Sequence, residues 1–206
     1  MSVNAIWNYV TGGSDYRTPD ALLPTHSRTA ADFAEPADDL RITWLGHSTF
    51  LLELDGARLL VDPVWGDHAS PSPLLGVGRF YAPPLALDDL PPIDAVVISH
   101  DHYDHLDAPT IRALADRIPR FITPLGVGSH LEAWGVAPDD ITELDWWDTL
   151  DVGGVTLTST PARHFSGRMG IDRDATLWSG WAFAGADRRV FYSGDTALSP
   201  VFHEIG

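Results

Sequence analysis

A chain of 206 residues has the length of one domain, and a composition of 44% hydrophobic and 20% charged residues is that of a chain folding around a core. The formal net charge of −16 repels nucleic acid and anionic membrane surfaces, and no apolar run is long enough for a transmembrane helix. With no cysteine there is no disulfide and no thiolate ligand, and the opening residues lack the basic-then-apolar order of a signal peptide, so a cytoplasmic protein is expected.

Residues 1–39 mix aromatics, Gly12-Gly13, Pro19, Pro24 and an acidic stretch, and read as an N-terminal arm. Residues 40–206 read as the domain proper. RITWL (41–45), TFLLEL (49–54) and ARLLVD (57–62) are expected strands, the last two joined by the hairpin dipeptide Asp55-Gly56. Residues 63–92, rich in Pro, Gly and aromatics, are an expected loop. IDAVVIS (93–99) is a continuous apolar run, the mark of a buried strand. Asp107 caps an expected helix that tolerates Pro109 in its first turn and runs to about Arg117. A strand at 120–124 and a short helix at 127–134 follow, then strands in ITEL, VTLTSTP, TLWSGWAFA and RRVFYSG, and a helix opening in SPVFHEIG. Strands alternating with helices, then strands in succession, predict an α/β fold with a mixed sheet.

The segment SHDHYDHLD (99–107) holds three of the chain's nine histidines together with three aspartates. Such residues are hard to bury and repel one another when charged, so a packed core does not explain the crowding. A metal ion does, because neutral imidazoles and carboxylates are its ligands. In an extended loop His100 and His102 point the same way, while Asp104 and His105 follow as the chain turns toward a second point. His164, after VTLTSTP, and Asp195, after RRVFYSG, end later strands and are candidates for the same centre. Asp62, ending ARLLV, is a candidate for orienting a metal-bound histidine through its free ring N–H. His47 is expected to pin a turn and Asp101 to face outward. His26, His68 and His130 default to the surface, and Trp146, Trp147, Trp178 and Trp181 to the core.

The order H-x-H-x-D-H, then His, then Gly-Asp resembles that of the metallo-β-lactamase-fold hydrolases. WLGHSTFLLEL, LLVDPVW, LPPIDAVVISHDHYDHLD, PARHFSG, TLWSGW and FYSGDT are similar, more narrowly, to N-acylphosphatidylethanolamine phospholipase D and its bacterial relatives, from about Trp44 to Asp195. The ascorbate-6-phosphate lactonase group is a more distant likeness. The resemblance implies an αββα four-layer sandwich and two zinc ions. By that pattern His100, His102 and His164 hold the first, Asp104 and His105 the second, and Asp195 bridges. Zinc lowers the pKa of bound water from about 15.7 toward about 7, so a hydroxide between the ions is the implied nucleophile, with Asp104 orienting it. The implied activity is a phosphodiesterase of phospholipase D type on N-acylphosphatidylethanolamine-like or other organophosphate diesters, with a lactonase of small phosphorylated metabolites as the alternative.

One element of the pattern has no counterpart. The resemblance calls for a further metal histidine after the Gly-Asp strand, and only His203, within the last expected helix, follows Asp195. The expectation is a sandwich truncated in its C-terminal half, with the second ion short of a ligand. Its uncovered strand edge would favour association into oligomers, and the alternative is an inactive metal-binding domain. Leu75, Phe80 and Tyr81, in the loop 70–87, are candidate contacts for an acyl chain.

Overall fold

The computed structural model describes residues 19–21, 23–70 and 77–206. Two sheets carry the architecture. The first is mixed and six-stranded, in the order β1-β2-β3-β6-β7-β8. β1 (Leu40–Gly46), β2 (Thr49–Leu54) and β3 (Ala57–Val61) form an antiparallel meander. The hairpin between β2 and β3 turns on Asp55 and Gly56, both at positive φ as a type I′ turn requires. β4 (His68–Ala69) and β5 (Val77–Gly78) make a small separate ribbon. β6 (Ala95–Val97), β7 (Phe121–Pro124) and β8 (Ile141–Leu144) then extend the sheet in parallel from β3.

The crossovers from β6 to β7 and from β7 to β8 are made by α1 (Ala108–Leu114) and α2 (Gly128–Ala133). The Asp107 carboxylate accepts the Thr110 backbone N–H and caps α1, with Pro109 in the first turn, as expected. The helix ends at Leu114 instead of reaching Arg117.

The second sheet is antiparallel, in the order β12-β11-β10-β9, built from β9 (Thr149–Val152), β10 (Val155–Thr160), β11 (Gly180–Ala184) and β12 (Arg189–Tyr192). β9 is a strand the sequence reading missed. It reaches β10 through Gly153-Gly154, both at positive φ, a hairpin signal that was present in the sequence. The expected strand TLWSGWAFA is paired only from Gly180 onward.

Two apolar layers hold the sheets in place. Phe50, Leu52, Leu59, Val61 and Val97 of the first sheet meet Val155, Leu157, Trp181 and Phe183 of the second. Leu51, Leu60, Val96 and Ile98, on the opposite face, meet Ile111 and Leu114 of α1 and Leu131 of α2. Each fully buried aliphatic or aromatic side chain of this kind contributes about 1.5–3 kcal/mol. Phe33, within the expected arm, joins the helical-side layer at 3% exposure, so the core reaches back into that segment. On the outer side of the second sheet, α3 (Phe202–Ile205) places Phe202 against Phe191 at 6.1 Å. Among the described residues no helix is long and apolar enough to cross a membrane.

The four tryptophans divide: Trp181 is fully buried, Trp146 and Trp178 are half-buried, and Trp147 is exposed, so the expectation of core holds for Trp181 alone.

Candidate metal centre

Side chains converge from just past the C-terminal ends of four strands: Asp62 after β3, the 99–107 loop after β6, His164 after β10 and Asp195 after β12. Such strand ends project polar groups without breaking the sheet. Among the described residues two donor groups result. His100, His102, His164 and Asp195 each offer an atom within 4.8 Å of the others, and so do His47, Asp104 and His105. His203 is exposed on α3 and belongs to neither group.

In the first group His102 Nδ1 lies 2.9 Å from His100 Nε2 and 3.1 Å from His164 Nε2. Metal–nitrogen bonds of about 2.0–2.1 Å put neighbouring tetrahedral donors about 3.3 Å apart, so the three nitrogens already have the spacing of a ligand set. Burial lowers the pKa of all three rings, and in His100 the charges of neighbouring imidazoles lower it further. The trio is held neutral, the state a metal requires. The loop carrying His164 is tied to the Asp195 loop where Arg163 N–H donates to Thr196 Oγ1 and Ala197 N–H to the Arg163 carbonyl.

Asp62 is completely buried and organises both groups. Its carboxylate accepts the Ser99 N–H at 2.7 Å, the Ser99 hydroxyl at 2.5 Å, the Tyr192 hydroxyl at 2.7 Å and His105 Nδ1–H at 2.7 Å. Because the one Ser99 proton goes to Asp62, Ser99 Oγ is left to accept Nδ1–H of His100 at 2.9 Å. Asp62 thereby orients the His105 ring directly and, through Ser99, fixes the tautomer of His100, turning both Nε2 atoms toward the centre. Ser99 and Tyr192 were not singled out from the sequence, since an isolated Ser or Tyr carries no motif signal.

His105 differs from the trio. Burial opposes its charge, but the Asp195 and Asp62 carboxylates outweigh burial and hold its pKa at about 10. Among the described residues its Nε2 is buried without a hydrogen-bond partner; Asp195 Oδ1 is 3.4 Å away but not aligned to accept. A buried ring nitrogen left over in this way suits an ion. Burial also opposes ionisation of Asp104, and here the hydrogen bond with His47 and the charges of His105 and His47 prevail and lower its pKa. The Asp195 pKa is lowered by its interaction with His105. The donors present, imidazoles and ionised carboxylates with no sulfur, fit zinc, manganese or iron.

Two expectations are corrected. Asp101 does not face outward: it is 1% exposed, accepts the Gly167 N–H at 2.8 Å and pairs with His130 Nε2 at 3.6 Å. His130 is accordingly half-buried, stacked on Trp134, and is no free surface residue. The carboxylate turns inward because the neighbouring 166–176 loop supplies donors. Arg168, from that loop, also donates to the Leu106 carbonyl and stacks over Tyr103. His47 does sit in a turn, but its ring reaches Asp104. Of the candidate substrate contacts, Phe80 is 43% exposed and Tyr81 half-buried, while Leu75 lies outside the described residues. His26 is exposed and His68 half-buried in β4.

The two packed sheets and the strand-end cluster define the class of protein. The model of the Beta-lactamase superfamily domain matches residues 57–206, and the chain belongs to that family, with the metallo-β-lactamase fold. Among relatives, it is 48% identical over 203 residues to an uncharacterized protein of Mycobacterium bovis, covering 98% of this chain and 53% of that one. It is 41% identical over 204 residues to N-acyl-phosphatidylethanolamine-hydrolyzing phospholipase D 1 of Caenorhabditis elegans, covering 94% and 57%. The chain thus spans about half the length of these curated relatives. Among solved structures, a possible metal-dependent hydrolase from Veillonella parvula matches with TM-score 0.62 at 22% identity, over 82% of this chain and 67% of that one. A diiron beta-hydroxylase from Streptomyces venezuelae matches with TM-score 0.59 at 24% identity, over 80% and 31%. Both likenesses are of fold.

Proposed function

We propose that the chain carries the metal-binding and catalytic residues of a metal-dependent hydrolase that binds two zinc ions and cleaves phosphodiesters, of N-acylphosphatidylethanolamine type or other organophosphate diesters. The observation that carries the reading is Asp195. Its Oδ1 lies 3.4 Å from His105 Nε2 and its Oδ2 3.7 Å from His164 Nε2, so one carboxylate faces both donor groups. In this reading His100, His102 and His164 hold the first ion, Asp104 and His105 the second, and Asp195 both.

Bound zinc supplies a Lewis acid for a phosphoryl oxygen and acidifies water. The chain supplies the rest. Three neutral imidazoles would leave Asp195 as the one anionic protein donor at the first position, so most of an ion's positive charge would remain there. Asp62, through Ser99 and His105, keeps rings from both groups aimed inward. Asp104, partly exposed and held ionised, orients a proton of the attacking water. Phe165, 38% exposed and 4.8 Å from the His102 ring, forms an apolar rim beside these ligands. That rim and the likeness to the Caenorhabditis elegans phospholipase support a lipid-like diester over a small polar lactone.

The test is a panel of phosphodiesters, including N-acylphosphatidylethanolamine, and lactones, assayed after loading with zinc, manganese or iron. Zinc-dependent cleavage of diesters is expected. Turnover confined to lactones would overturn the substrate class, and turnover without any metal would overturn the reading altogether.

A further inference from the structure

The three imidazoles of the first position do not reach it in the same way. His100 and His102 come from one short loop, and Ser99 aims the His100 ring. His164 arrives from 62 positions beyond His102, and among the described residues its ring makes no hydrogen bond but the contact with His102. Its place is therefore set through its backbone. We propose that Asp101 and Arg168 are positioning residues of the first metal position. They fasten the loop carrying His164 to the loop carrying His100 and His102, so that the third imidazole arrives already at ligand spacing. The inference rests on the reading of that trio as a metal site.

The fastening is reciprocal. From the first loop, the Asp101 carboxylate accepts the N–H of Gly167, three residues past His164, at 2.8 Å. From the other loop, the Arg168 guanidinium donates to the Asp101 carbonyl and, at 2.9 Å, to the Leu106 carbonyl. Those two carbonyls bracket the segment that holds His102, Asp104 and His105. The guanidinium carbon lies 4.0 Å from the centre of the Tyr103 ring and 5.1 Å from that of Trp134, just past α2, so it cannot swing outward without losing both contacts.

The loop is shaped to deliver that arginine. Gly167 has φ 131°, and a β-carbon there would stand 3.1 Å from Arg173 Cα. The Asp172 carboxylate accepts the N–H groups of Arg168 and Met169 at 3.0 and 2.8 Å and closes the loop behind the arginine. Upstream, Arg163 is tied to Thr196 and Ala197, so His164 is anchored on both sides. Asp101 is 1% exposed, and buried charged groups are often weaker stabilisers than apolar side chains of like volume. What this set does is fix one ligand-bearing backbone against another.

The test is a mutant cycle on zinc affinity. Dissociation constants are measured by chelator competition, the step lost in His102→Ala identifies the first position, and near-ultraviolet circular dichroism reports the fold. Arg168→Met keeps an unbranched side chain between Tyr103 and Trp134 but donates nothing, and Asp101→Ala removes the acceptor. Each should weaken zinc binding at the first position about 10–100-fold, the range for groups that orient metal ligands. Asp101→Asn loses the charge but keeps an oxygen for the Gly167 N–H, and should bind zinc nearly as the wild type does. In a His164→Ala background there is no third imidazole to place, so Arg168→Met and Asp101→Ala should add no further loss. Equal losses in both backgrounds would overturn the proposal and make the pair a prop of the fold alone. Wild-type affinity in natively folded Arg168→Met and Asp101→Ala would overturn it as well. If Arg168→Met does not fold, the Asp101 variants decide: Asp101→Asn as weak as Asp101→Ala would show that charge, not the fastening, matters. Zinc affinity unchanged in His164→Ala would remove the trio as a metal site, and the proposal with it.

Discussion

The histidine trio and the group around Asp104 draw on the same short loop, yet they stand in opposite electrostatic states. His100, His102 and His164 face one another, and burial drives their pKa values down, with the charges of neighbouring imidazoles adding to it most in His100. His105, three residues past His102, has carboxylates on two sides, and its pKa rises to about 10. Identical side chains a few ångströms apart are thus prepared differently for a cation. The trio is ready to bind at neutral pH, whereas His105 must first give up a proton. What separates them is the company each ring keeps across the fold.

The contrast can be broken most directly at the trio. His102→Ala should remove the first ion and lower kcat/KM on phosphodiesters by about a thousandfold or more, because a Lewis acid contributes several kcal/mol to the transition state. Zinc content and steady-state kinetics read it; unchanged content would show that the three nitrogens do not hold the ion.

Asp62→Asn acts on both groups at once. An amide in place of the carboxylate cannot accept from Ser99, His105 and Tyr192 together, so buried donors lose partners. Zinc affinity should fall about 10–100-fold at both positions. Stability should fall by about 1–3 kcal/mol for each buried group left unpaired, measured by urea unfolding of the metal-free protein. A loss confined to one position would mean that Ser99 does not relay the effect to His100.

pH sharpens the comparison. Because His105 is protonated below about pH 10, zinc binding at its position releases a proton, and affinity there should rise with pH by about tenfold per unit between pH 7 and 10, then level off. The sign follows from the raised pKa: the proton competes below it and is gone above it. The trio, already neutral, should bind zinc with nearly constant affinity over that window. Chelator-competition titrations at several pH values resolve the two. Equal slopes would erase the electrostatic distinction.

The smallest effect concerns Phe80, exposed in the loop 70–87. Phe80→Asp should weaken hydrolysis of long-chain diesters several-fold more than of short soluble ones, since an exposed aromatic meeting an acyl chain contributes on the order of 1–3 kcal/mol. Equal losses on both substrates would assign Phe80 to folding.

Much of this was readable in the chain. The cluster of His100, His102, Asp104 and His105 lies within six positions, and local geometry alone puts such residues together. Asp55-Gly56 declares a hairpin because the turn demands positive φ from both residues. The cap on α1 is likewise a matter of Asp107 and Thr110, three residues apart. Gly153-Gly154 gave a signal of the same strength for β9, and it went unread.

What the sequence left open spans longer separations. Asp62 meets Ser99 across 37 positions and Tyr192 across 130, and His47 meets Asp104 across 57. No local pattern encodes those meetings, because they arise when β3 pairs in parallel with β6 and the second sheet brings the end of β12 over both. Asp101 was misread for the same reason: alternation in an extended loop sends it away from His100 and His102, but whether that direction is solvent or protein depends on Gly167 and His130 arriving from elsewhere. By itself the sequence determined the residue types at the centre, the hairpins and caps around it, and the family likeness. The tertiary structure alone decided which carboxylate each imidazole faces, and so which rings are neutral and which is charged, because ring protonation answers to neighbours in space and to burial, neither of which the chain order specifies.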